Sequence, residues 1–158
     1  MADAALAPGS TIGILGGGQL GRMLACAAAE IGLKCRIFCD EPDAPSFDVA
    51  ATHVCAPYDD IEAVQAFARG CDVVTFEFEN VPLAAVEAVT ALVPVYPPPR
   101  ALEATQDRLV ERRLLDALSI PVAPYREVGS EADLTPALEE IGRPAMLKSR
   151  RLGYDGKG

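Results

Sequence analysis

Three groups of residues in this sequence have the types and spacing to do chemistry. The first is Gly16-x-Gly18-x-x-Gly21, which follows the apolar run TIGIL (Thr11 to Leu15) and opens an alanine-rich stretch from Gln19 to Ile31. Glycines permit a tight turn and close backbone approach, and a helix N-terminus offers unpaired N–H groups to an anion, so the loop suits a phosphate. Arg22 either adds a cation there or points at solvent. Asp40 follows about 20 residues on, where a dinucleotide-binding fold places its ribose acid. Alternatively, the glycines serve only close packing of helix on sheet.

The second group is the run CDVVTFEFEN, Cys71 to Asn80. Strand alternation puts Val73, Thr75, Glu77 and Glu79 on one face and Val74, Phe76 and Phe78 on the other. Ligands of open α/β sheets bind beyond the carboxyl ends of strands, so two carboxylates there are candidate ligand contacts. Glu79 is expected nearer the ligand than Glu77. The competing reading lets both emerge into solvent, or lets one cap the helix near Pro82. The third group is Lys148, followed by Arg150, Arg151 and glycines 153, 156 and 158 interleaved with Tyr154, Asp155 and Lys157. A strand that delivers a lysine into a basic, glycine-rich loop suits a polyphosphate. No GK[ST] opens a helix, so this is not a Walker A loop. A disordered tail is the alternative.

The elements that would position these groups alternate. Strands are expected at Thr11 to Leu15, Cys35 to Cys39, Thr52 to Cys55, Asp72 to Phe78 and Val93 to Tyr96. Helices are expected over Gln19 to Ile31, Asp59 to Arg69 and Pro82 to Leu92, the first ended by Gly32. Such alternation predicts an α/β fold, a Rossmann-like, mostly parallel sheet. Pro97-Pro98-Pro99 marks the boundary, since three prolines fit neither strand nor helix interior. Beyond it the pattern predicts one amphipathic helix from Leu102 to Leu118, a short helix from Leu134 to Ile141 and a strand over PAMLKS.

The chain has 158 residues, half of them hydrophobic, and a formal net charge of -9. That charge argues against nucleic acid as a partner, because phosphate backbones need a positive face. The first ten residues do not read as a signal peptide, and no apolar stretch is long enough to span a bilayer. Five cysteines without CxxC spacing read as buried free thiols in a reducing compartment. His53, the single histidine, is expected near a strand end and without chemistry.

Read in order, GILGGGQLGRM (Gly13 to Met23), TFEFENVP (Thr75 to Pro82), PPPRALEATQDRLVERRLL (Pro97 to Leu115), IPVAPY (Ile120 to Tyr125) and LKSRRLGYDGKG (Leu147 to Gly158) resemble the 5-(carboxyamino)imidazole ribonucleotide synthase family. The resemblance implies an ATP-dependent carbon–nitrogen ligase of de novo purine biosynthesis. It implies that ATP activates bicarbonate as carboxyphosphate, and that the carboxyl group passes to the exocyclic amine of 5-aminoimidazole ribonucleotide. It further implies ATP and magnesium as cofactors, a cytoplasmic location, a homodimer at full length, a pre-ATP-grasp domain over 1–99 and the beginning of an ATP-grasp domain over 100–158.

By the same resemblance, Arg108, Lys148, Gly153, Tyr154, Asp155, Gly156, Lys157 and Gly158 would contact ATP. Gly16, Gly17, Gly18, Gln19, Leu20, Glu77, Glu79, Tyr154 and Asp155 would contact the ribonucleotide, with its phosphate on the glycine loop and its ribose on Glu79. No catalytic residue is assigned here, and the magnesium ligands are expected downstream of Gly158. Leu152 departs from the family, which usually has glycine there. A chain ending at Gly158 is expected to be a fragment, inactive alone, with Lys148, Arg150, Arg151 and Lys157 as cations lacking an acidic partner. The rival readings are a non-catalytic nucleotide-binding homologue and an NAD-dependent oxidoreductase resting on the glycine motif and Asp40.

Overall fold

The computed structural model describes residues 5–153. Four short strands form one parallel sheet: β1 (Thr11–Leu15), β2 (Lys34–Cys39), β3 (Thr52–Cys55) and β4 (Val73–Phe76), in the order β3-β2-β1-β4. β1 pairs with β2 from Thr11↔Lys34 to Leu15↔Phe38, and with β4 from Ile12↔Val73 to Leu15↔Phe76. Among the described residues there are six α-helices, α1 (Gln19–Glu30), α2 (Ile61–Ala68), α3 (Leu83–Thr90), α4 (Pro99–Thr105), α5 (Arg108–Ala117) and α6 (Leu134–Ile141), and a 3-10 turn over Glu131–Asp133 leads into the last.

The carboxyl-terminal halves of the central strands β1 and β2 are buried on both faces, which is why Ile14-Leu15 and Ile37-Phe38-Cys39 are consecutive apolar residues instead of alternating, while the edge strand β3 is largely exposed. Leu15, Phe38 and Val74 pack with Val64 and Phe67 of α2 and with Val86 and Val89 of α3. Ile14, Ile37 and the buried thiols of Cys35 and Cys39 pack with Ala25 and Ala28 of α1. Small residues on the inner side of α1 let its backbone lie close to the sheet. The helix stops where Gly32 takes φ +79, with Gly32 N–H donating to Ala29 O and Leu33 N–H to Ala28 O. This is the left-handed glycine cap expected at that position. The chain divides into two compact units, one ending at Leu102 and one beginning at Glu103.

Five sequence expectations change. β4 ends at Phe76, two residues early, so Glu77 and Glu79 are not strand residues. Val93 to Tyr96 makes a single bridge, Val74↔Val95, because the flanking Pro94 and Pro97 have no N–H to extend a ladder. The long helix from Leu102 to Leu118 is two helices. The carboxylate of Asp107 accepts from the N–H groups of Leu109 and Val110 and so starts a new helix, α5, where one was expected to continue. Pro99, taken as a breaker, is the first residue of α4, where its missing N–H has no intrahelical partner to lose. PAMLKS forms no strand among the described residues, and Met146 and Leu147 are largely exposed. A strand exists only with a neighbour to pair its backbone, and local propensity does not supply one.

Gly13 sits in the middle of β1 under three side chains. A Cβ there would lie 2.7 Å from Cys71 Sγ, 2.8 Å from Val74 Cγ2 and 2.9 Å from Phe67 Cζ. Gly13→Ala is therefore expected to destabilise the first unit by about 1–3 kcal/mol through overpacking. Urea unfolding measures this, and an unchanged midpoint would contradict the packing described.

Candidate functional site

The strand order places the carboxyl ends of β1 and β4 side by side at a reversal of chain direction across the sheet. In an open α/β sheet this is where a crevice opens. Gly16 N–H donates to Phe38 O (2.9 Å) and Glu77 N–H to Leu15 O (3.2 Å), so both connections leave the sheet on hydrogen bonds to its last residues. Gly16 has φ +126, and a Cβ on it would collide with the Glu77 side chain. Gly21 is the other constrained position, since a Cβ there would lie 2.7 Å from Gly16 O.

Glu77 reaches across the gap, and its Oε1 accepts from Gly18 N–H at 3.2 Å. Burial raises its carboxyl above the ordinary glutamate value, and the Gly18 hydrogen bond partly opposes that. A cavity of about 640 Å³ lies alongside, lined among others by Gly17, Gly18, Cys39, Asp40, Tyr58, Glu77 and Asn80. Its carboxylates are Asp40, Glu41, Asp59 and Glu77, and no lysine or arginine among the described residues lines it. Arg22 does not supply the cation: its guanidinium donates to Pro45 O (3.2 Å) and Asp48 Oδ2 (3.1 Å).

The candidate residues of this region are thus only partly assembled. Gly17, Gly18, Glu77 and Asp40 meet at the cavity, with buried Gly16 directly behind. Gln19 and Leu20 are exposed on the first turn of α1. Glu79, expected as the inner carboxylate, is exposed and outside the lining, whereas Glu77 makes the loop contact. The strand ends at Phe76, so the pleat does not order the two carboxylates. Sequence reasoning missed Tyr58, which is buried, donates to Phe38 O (3.2 Å) and stacks edge-on to Phe78. Its phenol is pushed well above the ordinary range, first by burial and then by the charges of Cys39, Asp40 and Glu77. Its place shortly after β3, at the carboxyl edge of a parallel sheet, was the available signal. His53 stacks on Phe47 at 4.1 Å, on the edge strand.

The second unit holds the other candidate group. Arg108 begins α5, and its N–H donates to Arg150 O (2.9 Å). Its guanidinium donates to Ser149 O (2.8 Å) and Gly153 O (2.6 Å). Arg150 donates to Asp107 through Nε (3.1 Å) and Nη2 (2.8 Å) and to Glu127 through Nη1 (2.6 Å). The Arg150 hydrogen bond is the main reason the Asp107 carboxyl lies below the ordinary aspartate value. Arg151 donates to Gln106 Oε1 (2.8 Å). The expectation of cations lacking an acidic partner is therefore wrong for Arg150, which pairs with Asp107 and Glu127, whereas the partner of Arg151 is a neutral amide. Lys148 is exposed. Leu152 has φ 63, a left-handed backbone that disfavours a β-carbon. Tyr154, Asp155, Gly156, Lys157 and Gly158 lie outside the described residues.

Among the described residues, no group of three His, Cys, Asp or Glu side chains could hold a metal ion, and no helix is long and apolar enough to cross a membrane.

Comparison with known proteins matches two regions of the chain. Residues 9–106 match the ribonucleotide synthetase preATP-grasp domain, and residues 113–158 match the ATP-grasp domain. The chain is 48% identical over 158 residues to the N5-carboxyaminoimidazole ribonucleotide synthase of Brucella melitensis, covering all of this chain and 44% of that protein. It superposes on the ADP complex of purK, an N5-carboxyaminoimidazole ribonucleotide synthetase, with TM-score 0.93 and 40% identity, over 99% of this chain and 41% of that one. It also superposes on an Aspergillus clavatus N5-carboxyaminoimidazole synthase in complex with ADP and 5-aminoimidazole ribonucleotide, with TM-score 0.79 and 33% identity, over 87% of this chain and 37% of that one. The chain thus spans less than half the length of these relatives.

The raised Glu77 carboxyl has a signed consequence. The folded protein keeps this proton to a higher pH than the unfolded chain does. The stability linked to it is greatest below the ordinary glutamate pKa and declines as pH rises through the raised folded value. Gln at this position cannot titrate but still accepts from Gly18 N–H. Between roughly pH 4 and pH 7 the Tm of Glu77→Gln is expected to gain on that of the wild type. A constant difference across that range would show that burial does not perturb this carboxyl.

Proposed function

Because this chain belongs to the ribonucleotide synthetase preATP-grasp family and corresponds to the N-terminal part of N5-carboxyaminoimidazole ribonucleotide synthases, we propose that it forms the ribonucleotide-receiving front of such a ligase. The complete enzyme uses ATP to activate bicarbonate as carboxyphosphate. It then transfers the carboxyl group to the exocyclic amine of 5-aminoimidazole ribonucleotide, releasing ADP and phosphate. The observation that carries this reading is the meeting of the glycine turn with Glu77 at the carboxyl ends of β1 and β4.

The residues divide the work by chemistry. Gly16, Gly17, Gly18, Gln19 and Leu20 present backbone to the ribonucleotide. Glu77 and Glu79 accept hydrogen bonds from its hydroxyls, with Glu77 the inner of the two. Arg108 and Lys148 meet the negative charge of ATP, and the segment from Gly153, with Tyr154, Asp155, Gly156, Lys157 and Gly158, covers the phosphates. Tyr154 and Asp155 also border the ribonucleotide. Arg108 and Gly153 are already joined by a hydrogen bond, which supports treating them as one site. We place the domain boundary at Pro99, with 1–99 ahead of it and 100–158 behind. The magnesium that the resemblance implies is assigned to ligands in the rest of the complete enzyme. A cytoplasmic homodimer completes the proposal.

The test is phosphate release from ATP in the presence of bicarbonate and 5-aminoimidazole ribonucleotide. The complete enzyme is expected to turn over only when the ribonucleotide is present, and the 158-residue chain alone is expected not to. In the complete enzyme, Glu77→Gln removes a charged acceptor. A loss of about 1.5–3 kcal/mol is typical of such bonds, or roughly ten- to hundredfold in the KM for the ribonucleotide. Glu79→Gln is expected to do less. A ribonucleotide KM indifferent to both changes would remove the carboxylates from the site.

A further inference from the structure

We propose that Asp107 is a positioning residue for nucleotide binding, acting through Arg150 and Arg108 on the backbone at the root of the glycine-rich segment. The proposal rests on the reading of Arg108, Lys148 and Gly153 as ATP contacts.

One carboxylate serves two purposes here. It caps α5, accepting from Leu109 N–H (2.9 Å) and Val110 N–H (3.4 Å). It also accepts the Nε and Nη2 fork of Arg150. The cap does not need the charge, since asparagine caps helices equally well. The fork does, because bidentate guanidinium pairing is specific to a carboxylate. The Asp107 side chain is 9% exposed and that of Arg150 is 50% exposed. The fixed, buried end of the pair is therefore the helix end, and the exposed end belongs to the segment that must be held. Glu127 takes the remaining guanidinium nitrogen, so the plane of Arg150 is set from two sides.

The circuit closes on Arg108. Its N–H holds Arg150 O, and its guanidinium holds the carbonyls of Ser149 and Gly153. An arginine that turns toward a nucleotide must release those two carbonyls. What then keeps 149–153 at the start of α5 is the Asp107–Arg150 pair and the single backbone bond from Arg108. Asp107 touches no nucleotide in this scheme. It fixes where Arg108 and the segment stand when one arrives, and loss of that preorganisation weakens binding.

The experiment uses the complete enzyme and three variants, Asp107→Asn, Arg150→Lys and the two combined. Asp107→Asn keeps the cap, so its Tm is expected to stay near wild type. Its KM for ATP is expected to rise about tenfold while kcat stays within about twofold. Arg150→Lys keeps the charge and loses the fork, and should show the same rise. The combined variant should be no worse than either alone, as for residues acting as one unit. An unchanged KM for ATP in Asp107→Asn overturns the proposal. So does a fall in Tm and active fraction at constant KM, which would leave Asp107 as a cap only, and so do additive effects of the two changes. A wild-type enzyme that does not saturate with ATP would remove the nucleotide reading first, and the proposal with it.

Discussion

The chain leaves β1 toward β2 and β3, and then returns to the opposite edge of β1 as β4. Two connections must diverge from adjacent strand ends, and nothing else in the sheet covers the gap between them. Everything in the first unit follows from closing that gap closely. The turn after β1 must be glycine because Glu77 occupies the space a Cβ would need at Gly16. The helix after the turn must be small on its inner face because Gly21 rides against Gly16 O. Gly13, at mid-strand, is small for the same reason on the other face, where Phe67, Cys71 and Val74 converge. Packing below and chemistry above are thus set by one topological step.

That closure has an electrostatic side. The N-terminal end of α1 offers N–H groups and the positive end of a helix dipole, yet the nearest charged group is a carboxylate of the protein itself. Asp40, Glu41 and Asp59 add further negative charge around the cavity, while Arg22 is committed to Asp48. Two like charges about 4 Å apart repel by roughly 4 kcal/mol at an effective dielectric of 20. A phosphate therefore does not settle on Gly18 N–H merely because a glycine motif is present. It needs Glu77 to yield, while hydroxyls and amines meet no such opposition. The bare motif says where backbone donors are, and the surrounding charges decide what those donors receive.

Much of this was legible in the sequence, and the losses have definite causes. TIGIL-GGG-QLGRM specified strand, turn and helix because each local preference agrees with the others. The parallel sheet followed from the alternation of elements. The failures fell where a long-range partner decides the outcome. PAMLKS has the composition of a strand but lacks a neighbour among the described residues. Glu77 and Glu79 were ordered by pleat, and the strand ended before the pleat reached them. Gln106-Asp107 interrupts what periodicity alone reads as one helix, and an aspartate inside an amphipathic pattern is the visible warning of a new cap. Tyr58 carried no motif at all, since its importance comes from lying under Phe38 O and beside Phe78.

The second unit solves a different problem with different means. Its apolar core is sparse: Leu109 and Ala137 are buried, while Met146, Leu147 and Leu118 are exposed. Polar ties take over the task of fixing geometry. Three consecutive residues at the start of α5 each hold the later segment, Gln106 to Arg151, Asp107 to Arg150, and Arg108 to Ser149 and Gly153. The partners run in the opposite sense, so the two stretches are laced in antiparallel fashion. Arg150 is half-exposed, so solvent screens its pairs with Asp107 and Glu127, and lacing of this kind is poorly explained as a way to hold the fold together. Its forked and backbone-directed hydrogen bonds do set orientation sharply. That distinction explains why QDR and SRRLG, some forty residues apart, behave as one structural feature. The first motif supplies a rigid helix end, and the second supplies a segment whose placement depends on it. Leu152, held at φ 63 within that segment, sits where a less firmly tied backbone would relax.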